Sequence, residues 1–195
     1  MTSAYKDVVM IGGPNGAGKT TAARRLVPKG LGIREFVNAD EIARGLSPFN
    51  PEGSARAAGR LMVERIHELI RREESFAFET TCSGRAYAQT LSRCRDAGYR
   101  LTLIFLWLPS AKDALRRVAR RVAQGGHRVP TDVVIRRYAA GLKNLQQLYL
   151  PIADIAYIYD NTDEGGILIA ERQPGQDLMV SDHRRWGRIL EANRD

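Results

Sequence analysis

The sequence is poor in cysteine and in long apolar runs. Its two cysteines, Cys82 and Cys94, are too few for a disulfide framework, which favours the reducing cytosol as the setting. The longest apolar stretch, residues 101–109, is far too short to span a bilayer. Residues 1–7 contain no apolar run of the kind found in a secretion signal. These absences predict a cytoplasmic protein that has no membrane partner.

Acidic residues and aromatic residues are also scarce. The chain has 30 Lys and Arg against 22 Asp and Glu, which gives a net charge of +8. Such a balance suits either nucleic-acid binding or an enzyme that handles several phosphates. Aromatic residues make up only 7% and are not interleaved with the arginines, as a base-stacking platform would require. The charge therefore favours a phosphate-handling enzyme over a nucleic-acid binder. In addition, no cluster of residues has metal-ligand spacing.

Apolar runs alternate with amphipathic segments along the chain. Core strands are predicted at residues 8–11, 35–38, 75–78, 101–108 and 155–159, with helices between them. This alternation implies right-handed crossovers and a parallel sheet covered by helices on both faces. Ligands bind such a sheet at the carboxyl ends of its strands. We therefore predict one α/β domain of the P-loop NTPase class over residues 1–195, with a C-terminal appendage over about 163–195.

A glycine-rich loop follows the first predicted strand. Its pattern Gly13-x4-Gly18-Lys19-Thr20 has the spacing of a P-loop. Glycines let backbone N–H groups turn inward around phosphate oxygens, and the next helix adds the positive end of its dipole. Lys19 would reach the β and γ phosphates, and Thr20 would be a ligand of Mg²⁺. The sequence thus predicts ATP or GTP with Mg²⁺, bound by Gly13, Pro14, Asn15, Gly16, Ala17, Gly18, Lys19, Thr20 and Thr21.

Polar residues lie at the ends of three other predicted strands. We interpret Asp40 as the base that takes the proton of an acceptor hydroxyl, and the alternative is that it caps the following helix. Asp40, Glu79, Thr80 and Thr81 are predicted to bind the acceptor. For Glu79 the predicted role is a hydrogen bond to the substrate or a contact with Mg²⁺ through a water. A structural ion pair with an arginine is the alternative for Glu79. Asn161 follows the last core strand and is predicted to contact the nucleotide base, although a plain turn fits this segment equally well.

Residues 112–137 carry a run of basic side chains that Gly125 and Gly126 interrupt. We interpret this region as two helices of an arginine-rich lid, which would bring guanidinium groups onto the transferring phosphoryl group. Most of these arginines are expected to be solvated surface charges. The first candidates for catalysis are Arg120 and Arg128, and the substitutes are Arg121, Arg136 and Arg137.

Together these motifs resemble the zeta-toxin family of P-loop kinases. The resemblance is closer to the short zeta-like branch, which is often labelled as ABC-type ATPases because of its loop. The P-loop is generic, whereas three later segments are much more specific to this resemblance. They are Asn38-Ala39-Asp40-Glu41-Ile42-Ala43, Phe78-Glu79-Thr80-Thr81, and Gly125-Gly126-His127-Arg128-Val129-Pro130 with Arg136-Arg137-Tyr138.

The resemblance implies a kinase that moves the γ-phosphate of ATP or GTP to a sugar hydroxyl. In that family the acceptor is UDP-N-acetylglucosamine, and a small antitoxin protein usually silences the toxin. The resemblance places the family's base on Asp40, its substrate-contacting acid on Glu79, and its charge-neutralising arginines on Arg120 and Arg128. The chain departs from the family in its shorter length and in the sequence that follows Glu79.

Three other functions remain open from the sequence. One is a kinase of another nucleotide, a cofactor or a polynucleotide end on the same scaffold. Another is an ABC-type ATPase, but its Leu-Ser-Gly-Gly-Gln signature and its Asp-Glu pair after an apolar strand are both absent from the sequence. The third is a nucleotide-binding regulator without activity, which would transfer no phosphoryl group from ATP.

Overall fold

A seven-stranded sheet forms the centre of the molecule. The computed structural model describes residues 6–126, 128–163 and 165–191, so that His127 of the predicted lid loop lies outside the described residues. Within these ranges the strands follow the order β2-β3-β1-β4-β5-β6-β7. They are β1 (Lys6–Gly12), β2 (Glu35–Val37), β3 (Phe76–Thr80), β4 (Tyr99–Trp107), β5 (Ile155–Asp160), β6 (Ile167–Arg172) and β7 (Met179–Val180).

Helices connect the parallel strands. In the described part of the chain they are α1 (Lys19–Gly30), α2 (Ala39–Leu46), α3 (Ala55–Arg71), α4 (Ala86–Asp96), α5 (Ala111–Ala123), α6 (Thr131–Asn144), α7 (Leu150–Ile152) and α8 (His183–Glu191). A π-helical turn, Leu145–Tyr149, joins α6 to α7. None of the described helices is both long enough and apolar enough to cross a membrane.

The central strand β1 is buried on both faces of the sheet. Val8 and Met10 belong to an apolar cluster that also contains buried residues of α3 and α4. Val9 and Ile11 belong to a second cluster, which contains buried residues of α1 and α5. Successive side chains of a strand point to opposite faces, so β1 is apolar at each of positions 8–11, where helices cover both faces. The predicted α/β fold with a helix-covered parallel sheet is confirmed.

Strand register brings the carboxyl ends of the parallel strands to one edge. Gly12, the last residue of β1, lies opposite Thr80 of β3 and Phe105 of β4. Trp107 at the end of β4 lies opposite Asp160 at the end of β5. The loops that follow β1, β3 and β5 are therefore neighbours at this edge, as expected for a doubly wound sheet.

The C-terminal residues extend the same sheet. β6 pairs with β5 and β7 pairs with β6, both in the antiparallel sense. β6 is therefore an inner strand, and β7 lies at this edge of the described sheet. Ile189 of α8 is fully buried in the cluster that contains Val8 and Met10. α8 is thus packed onto the sheet that carries the phosphate loop.

Candidate functional site

The glycine-rich loop lies between β1 and α1 and has a backbone that requires glycine. Gly13 has a φ of 143°, and a Cβ atom there would lie 2.4 Å from the carbonyl oxygen of Leu106. Gly18, which precedes the first residue of α1, has a φ of 85°. L-amino acids with side chains rarely adopt either conformation. These two positions turn the loop around the N-terminus of α1, where free N–H groups favour an anion.

Lys19 is buried beneath this loop, with 9% of its surface exposed. Its Nζ donates hydrogen bonds to the carbonyl oxygens of Gly13 at 2.9 Å and Pro14 at 3.0 Å. Burial lowers the pKa of Lys19, while the carboxylates of Glu79 and Asp40 act to raise it. The ammonium group therefore lies in a site where an added negative charge, such as a phosphate, would stabilise its charged form.

Thr20 and Glu79 meet across the sheet edge. Glu79 lies opposite Ile11 in the β1–β3 ladder, and its Oε2 accepts a hydrogen bond from Thr20 Oγ1 at 2.8 Å. Burial raises the pKa of Glu79 against the opposing effects of the Lys19 ammonium and the Thr20 hydroxyl. The partner of Glu79 is thus a hydroxyl of the phosphate loop, and no arginine pair with Glu79 is found in the described part of the chain.

This pair of oxygen ligands fits Mg²⁺. The described residues contain no group of three or more His, Cys, Asp or Glu that could hold a metal. Mg²⁺ commonly uses one or two protein oxygens and completes its shell with waters and substrate phosphates. Thr20 Oγ1 and Glu79 Oε2 suit that pattern. The buried amide oxygen of Asn15 has no hydrogen-bond partner in the described structure, which is also consistent with a ligand in this cleft.

Asp40 lies in the first turn of α2, but it does not cap this helix. The cap is Asn38, whose Oδ1 accepts hydrogen bonds from the backbone N–H groups of Asp40 at 2.7 Å and Glu41 at 3.3 Å. The alternative that Asp40 is the N-cap is therefore wrong. Its side chain lines the same cleft as Lys19 and Glu79, and its charge acts to raise the pKa values of both.

The cleft has a volume of about 370 Å³ and contains most of the predicted site. Its floor includes Asn15, Gly16, Gly18, Lys19, Thr20 and Thr21 of the loop and of α1. Thr80 and Thr81 line the side formed by β3 and the segment after it. Arg44, Pro51 and Ala55 also line the cleft, although no sequence motif includes them. The structure therefore brings the predicted donor residues and acceptor residues to one cavity.

The arginines that line this cleft differ from the first candidates. Arg117, Arg121 and Arg137 line it, whereas Arg120 and Arg128 are exposed and do not. The cause is the buried stripe of α5, in which Ala114 and Val118 face the phosphate loop. Arg117 and Arg121 flank this stripe, while Arg120 follows Val118 by two residues and faces solvent, because two residues turn a helix by more than half a circle. The substitute Arg136 is exposed as well.

Asn161 connects the loop after β5 to the phosphate loop. Its Nδ2 donates a hydrogen bond to the carbonyl oxygen of Ala17 at 2.7 Å. It also lines a second cavity, of about 440 Å³, whose walls include Ile104, Leu106 and Tyr159. Arg117 lines both cavities, which therefore adjoin each other across the phosphate loop. The second cavity offers apolar walls next to the site that is suited to phosphates.

Fold and site together define a P-loop NTPase of the α/β class. A family model described as an AAA domain matches residues 8–148, and the chain belongs to this AAA domain family. An uncharacterized protein of Haemophilus influenzae is 30% identical over 126 residues, which cover 65% of this chain and 88% of that protein. β5, β6, β7 and α8 lie beyond the segment that the family model matches.

Solved structures show the same fold at low sequence identity. The complex AvrRxo1-ORF1:AvrRxo1-ORF2 with sulphate ions matches with a TM-score of 0.76 and 16% identity, over 96% of this chain and 64% of that chain. The structure of AvrRxo1-ORF1:-ORF2 with ATP matches with a TM-score of 0.73 and 17% identity, over 96% and 64% of the two chains. The PezAT chromosomal toxin–antitoxin system of Streptococcus pneumoniae matches with a TM-score of 0.65 and 13% identity, over 100% of this chain and 87% of that chain. The chain thus spans less than two thirds of the AvrRxo1 chain that it resembles.

Proposed function

We propose that the chain is a kinase that transfers the γ-phosphoryl group of ATP or GTP to a hydroxyl group of a small molecule. One observation carries this proposal. A single cleft contains the phosphate-loop residues Lys19 and Thr20 and also a carboxylate, Asp40, that comes from a different strand end. A loop that only binds nucleotide needs no such carboxylate, whereas phosphoryl transfer to a hydroxyl needs a group that receives its proton.

Each charged residue of the cleft has a role in this reaction. Lys19 and the N-terminus of α1 bind the β and γ phosphates, and Arg117, Arg121 and Arg137 offset the charge of the transferring group. Thr20 and Glu79 would hold Mg²⁺, which when bound neutralises part of the phosphate charge.

Asp40 is the base in this scheme. It accepts the proton of the acceptor hydroxyl as the hydroxyl oxygen forms a bond to the γ-phosphorus. The bond between that phosphorus and the β–γ bridging oxygen breaks, and ADP or GDP leaves with the bridging oxygen. The loop with Asn15 and Lys19 holds the departing diphosphate, so the two halves of the cleft bind the two reactants in line.

The second cavity is suited to the base of the donor nucleotide. It adjoins the phosphate loop at Gly18 and Thr21, and Ile104, Leu106 and Tyr159 give it apolar walls. A purine ring has two apolar faces and a polar edge, which such a cavity accommodates. Asn161 lies between the two cavities and orders the loop at their junction.

For the acceptor we propose a nucleotide-sugar such as UDP-N-acetylglucosamine. The sequence resemblance to zeta toxins supports this class. Arg44, which lines the cleft and pairs with Glu41 at its surface, supplies a guanidinium group that can bind the phosphates of such a substrate. On the same grounds we propose that the chain acts in the cytosol as the toxin of a toxin–antitoxin pair, with a small protein as its antitoxin.

Metabolite analysis after induced expression tests this proposal. Cells that express the wild-type chain should accumulate a nucleotide-sugar that carries one additional phosphoryl group, detected by mass spectrometry. Cells that express Lys19→Ala should not, because that variant lacks the cation of the phosphate loop. Identical metabolite profiles in the two strains, at equal levels of folded protein, would contradict the proposed acceptor class.

A further inference from the structure

The C-terminal helix α8 contacts the ends of two core strands beside the nucleotide cleft. Arg185 Nε donates a hydrogen bond to Asp160 Oδ2 at 2.7 Å, and the side chain of Asp160 is only 6% exposed. Arg188 donates to the carbonyl oxygen of Pro109 at 3.0 Å, and its guanidinium lies 5.2 Å from the centre of the Trp107 ring. These contacts attach α8 to the last residues of β4 and β5.

The other oxygen of Asp160 shapes the turn that follows β5. Asp160 Oδ1 accepts hydrogen bonds from the backbone N–H of Thr162 at 3.0 Å and from the Thr162 hydroxyl. Burial acts to raise the pKa of Asp160, but the hydrogen bonds from Thr162 and Arg185 outweigh it and lower the pKa. The carboxylate is thus held in its charged form between a cation on α8 and the turn that it folds.

This turn contacts the phosphate loop directly through Asn161 and indirectly through Arg117 of α5. The carbonyl oxygen of Thr162 accepts a hydrogen bond from Arg117 at 2.7 Å, and the same guanidinium donates to the carbonyl oxygen of Gly16 at 3.3 Å. Asn161 Nδ2 donates to the carbonyl oxygen of Ala17 at 2.7 Å. A continuous set of hydrogen bonds therefore runs from Arg185 through the turn to the loop that cradles phosphate.

The geometry points to Arg185 as a positioning residue for nucleotide binding, which acts through Asp160 and the turn after β5 on the phosphate loop. Arg185 lies beyond residues 8–148, the segment that the AAA domain model matches. The segment that contains α8 therefore contributes to nucleotide binding through the position of the phosphate loop. The inference rests on the proposed function in so far as the ligand is ATP or GTP.

Removal of Arg185 should weaken nucleotide binding without touching the acceptor side. Arg185→Ala leaves the buried Asp160 carboxylate without its cation, and a buried charge without a partner is strongly unfavourable. The turn would then rearrange and release Arg117 and Asn161 from the loop. We expect the Kd for Mg·ATP to rise by about tenfold, as for residues that orient other site residues. The KM of the acceptor should change little.

Titration calorimetry with Mg·ATP on the full chain tests this inference. Arg184→Ala is the matched control, because Arg184 precedes Arg185 on α8 and is exposed. It should bind ATP as the wild type does. Arg185→Gln is the variant to use if Arg185→Ala folds poorly, because the glutamine amide can still donate a hydrogen bond to Asp160. The Kd of Arg185→Gln for Mg·ATP should lie between those of the wild type and Arg185→Ala. Wild-type affinity in a folded Arg185→Ala or Arg185→Gln chain would overturn the inference.

Hydrogen exchange separates this inference from the proposed function. Without any nucleotide, Arg185→Ala should speed amide exchange in residues 13–18 and 160–162, and Arg184→Ala should not. Unchanged exchange in the phosphate loop of Arg185→Ala would overturn the proposed coupling of Arg185 to this loop, even if the wild type binds ATP. Failure of the wild type to bind any nucleoside triphosphate would contradict the proposed function. Altered exchange in Arg185→Ala would in that case still support the coupling of Arg185 to the phosphate loop.

Discussion

Replacement of Asp40 by asparagine separates catalysis from helix capping. Asn38 makes both capping hydrogen bonds of α2, and neither involves the side chain of Asp40. Asp40→Asn should therefore cost only the favourable interaction of one carboxylate with the helix N-terminus, about 0.3–1 kcal/mol of the free energy of unfolding. By contrast, Asn38→Ala removes the cap itself and should cost about 0.5–2 kcal/mol.

The effect of Asp40→Asn on catalysis should be much larger. A general base contributes a factor of about 10²–10⁴ to the rate, so kcat should fall by that factor. In activation free energy this is about 2.7–5.4 kcal/mol, several times the expected loss of stability. The Kd for ATP should stay the same or fall slightly, because the variant removes a negative charge that acts on Lys19 beside the phosphates.

Steady-state kinetics and urea unfolding of three variants provide the assay. Glu41→Gln is the control for Asp40→Asn, since Glu41 lies in the same helical turn and loses the same charge. Its carboxylate pairs with Arg24 at 3.0 Å and Arg44 at 3.1 Å, and it does not line the cleft. Wild-type kcat in Asp40→Asn, or an equal loss in Glu41→Gln, would refute the assignment of Asp40 as the base.

Three further predictions concern the phosphate loop and its surroundings. Thr20→Val removes the hydroxyl that pairs with Glu79 and should raise the Mg²⁺ concentration at half-maximal activity by about tenfold, as measured by Mg²⁺ titration. Thr20→Ser keeps the hydroxyl and should stay close to the wild type. Arg117→Ala should raise the KM for ATP, measured by ATP saturation curves, by about tenfold, and Arg120→Ala should not. Equal effects of the two variants would contradict the placement of these arginines. Burial lowers the pKa of Lys19 in the folded chain. Between this folded pKa and the unfolded value of about 10.4, the unfolded chain therefore binds more protons than the folded chain. Lys19 should thus make the free energy of unfolding increase as pH rises through that window. Phosphate binding should reverse the shift, so ATP binding should take up a proton near the folded pKa, measured by calorimetry in buffers of different ionisation enthalpy, and Lys19→Met should abolish the uptake.

The strands and the phosphate loop could be predicted from the sequence because their signals are local. Residues 8–11 of β1 and 103–107 of β4 are continuous apolar runs, and the spacing of Gly13, Gly18 and Lys19 defines the loop. The parallel register places Glu79 opposite Ile11, close to the start of α1, where Thr20 donates a hydrogen bond to it. This part of the site follows from strand order and from the rule that ligands bind at the carboxyl edge.

The rest depends on tertiary packing, which the sequence does not show. Arg117, Arg120 and Arg121 lie within about one turn of α5, but only the burial of Val118 shows which of them face the cleft. The N-cap of α2 is Asn38, because the helix begins at Ala39 and Asn38 Oδ1 then reaches the N–H groups of Asp40 and Glu41. The bond from Asn161 to Ala17 joins residues 144 positions apart, a separation at which no local pattern carries information.

Transfer of labelled phosphate from ATP to a small acceptor tests the central claim most directly. Purified wild-type chain with Mg²⁺ and γ-labelled ATP should move the label to a nucleotide-sugar, and Asp40→Asn should reduce that transfer by about 10²–10⁴-fold while it still binds ATP. Label that moves to another hydroxyl acceptor in the panel, such as a polynucleotide end, would retain the kinase and replace the acceptor. A wild-type chain that binds ATP but labels no acceptor, or labels it equally well without Asp40, would contradict the account.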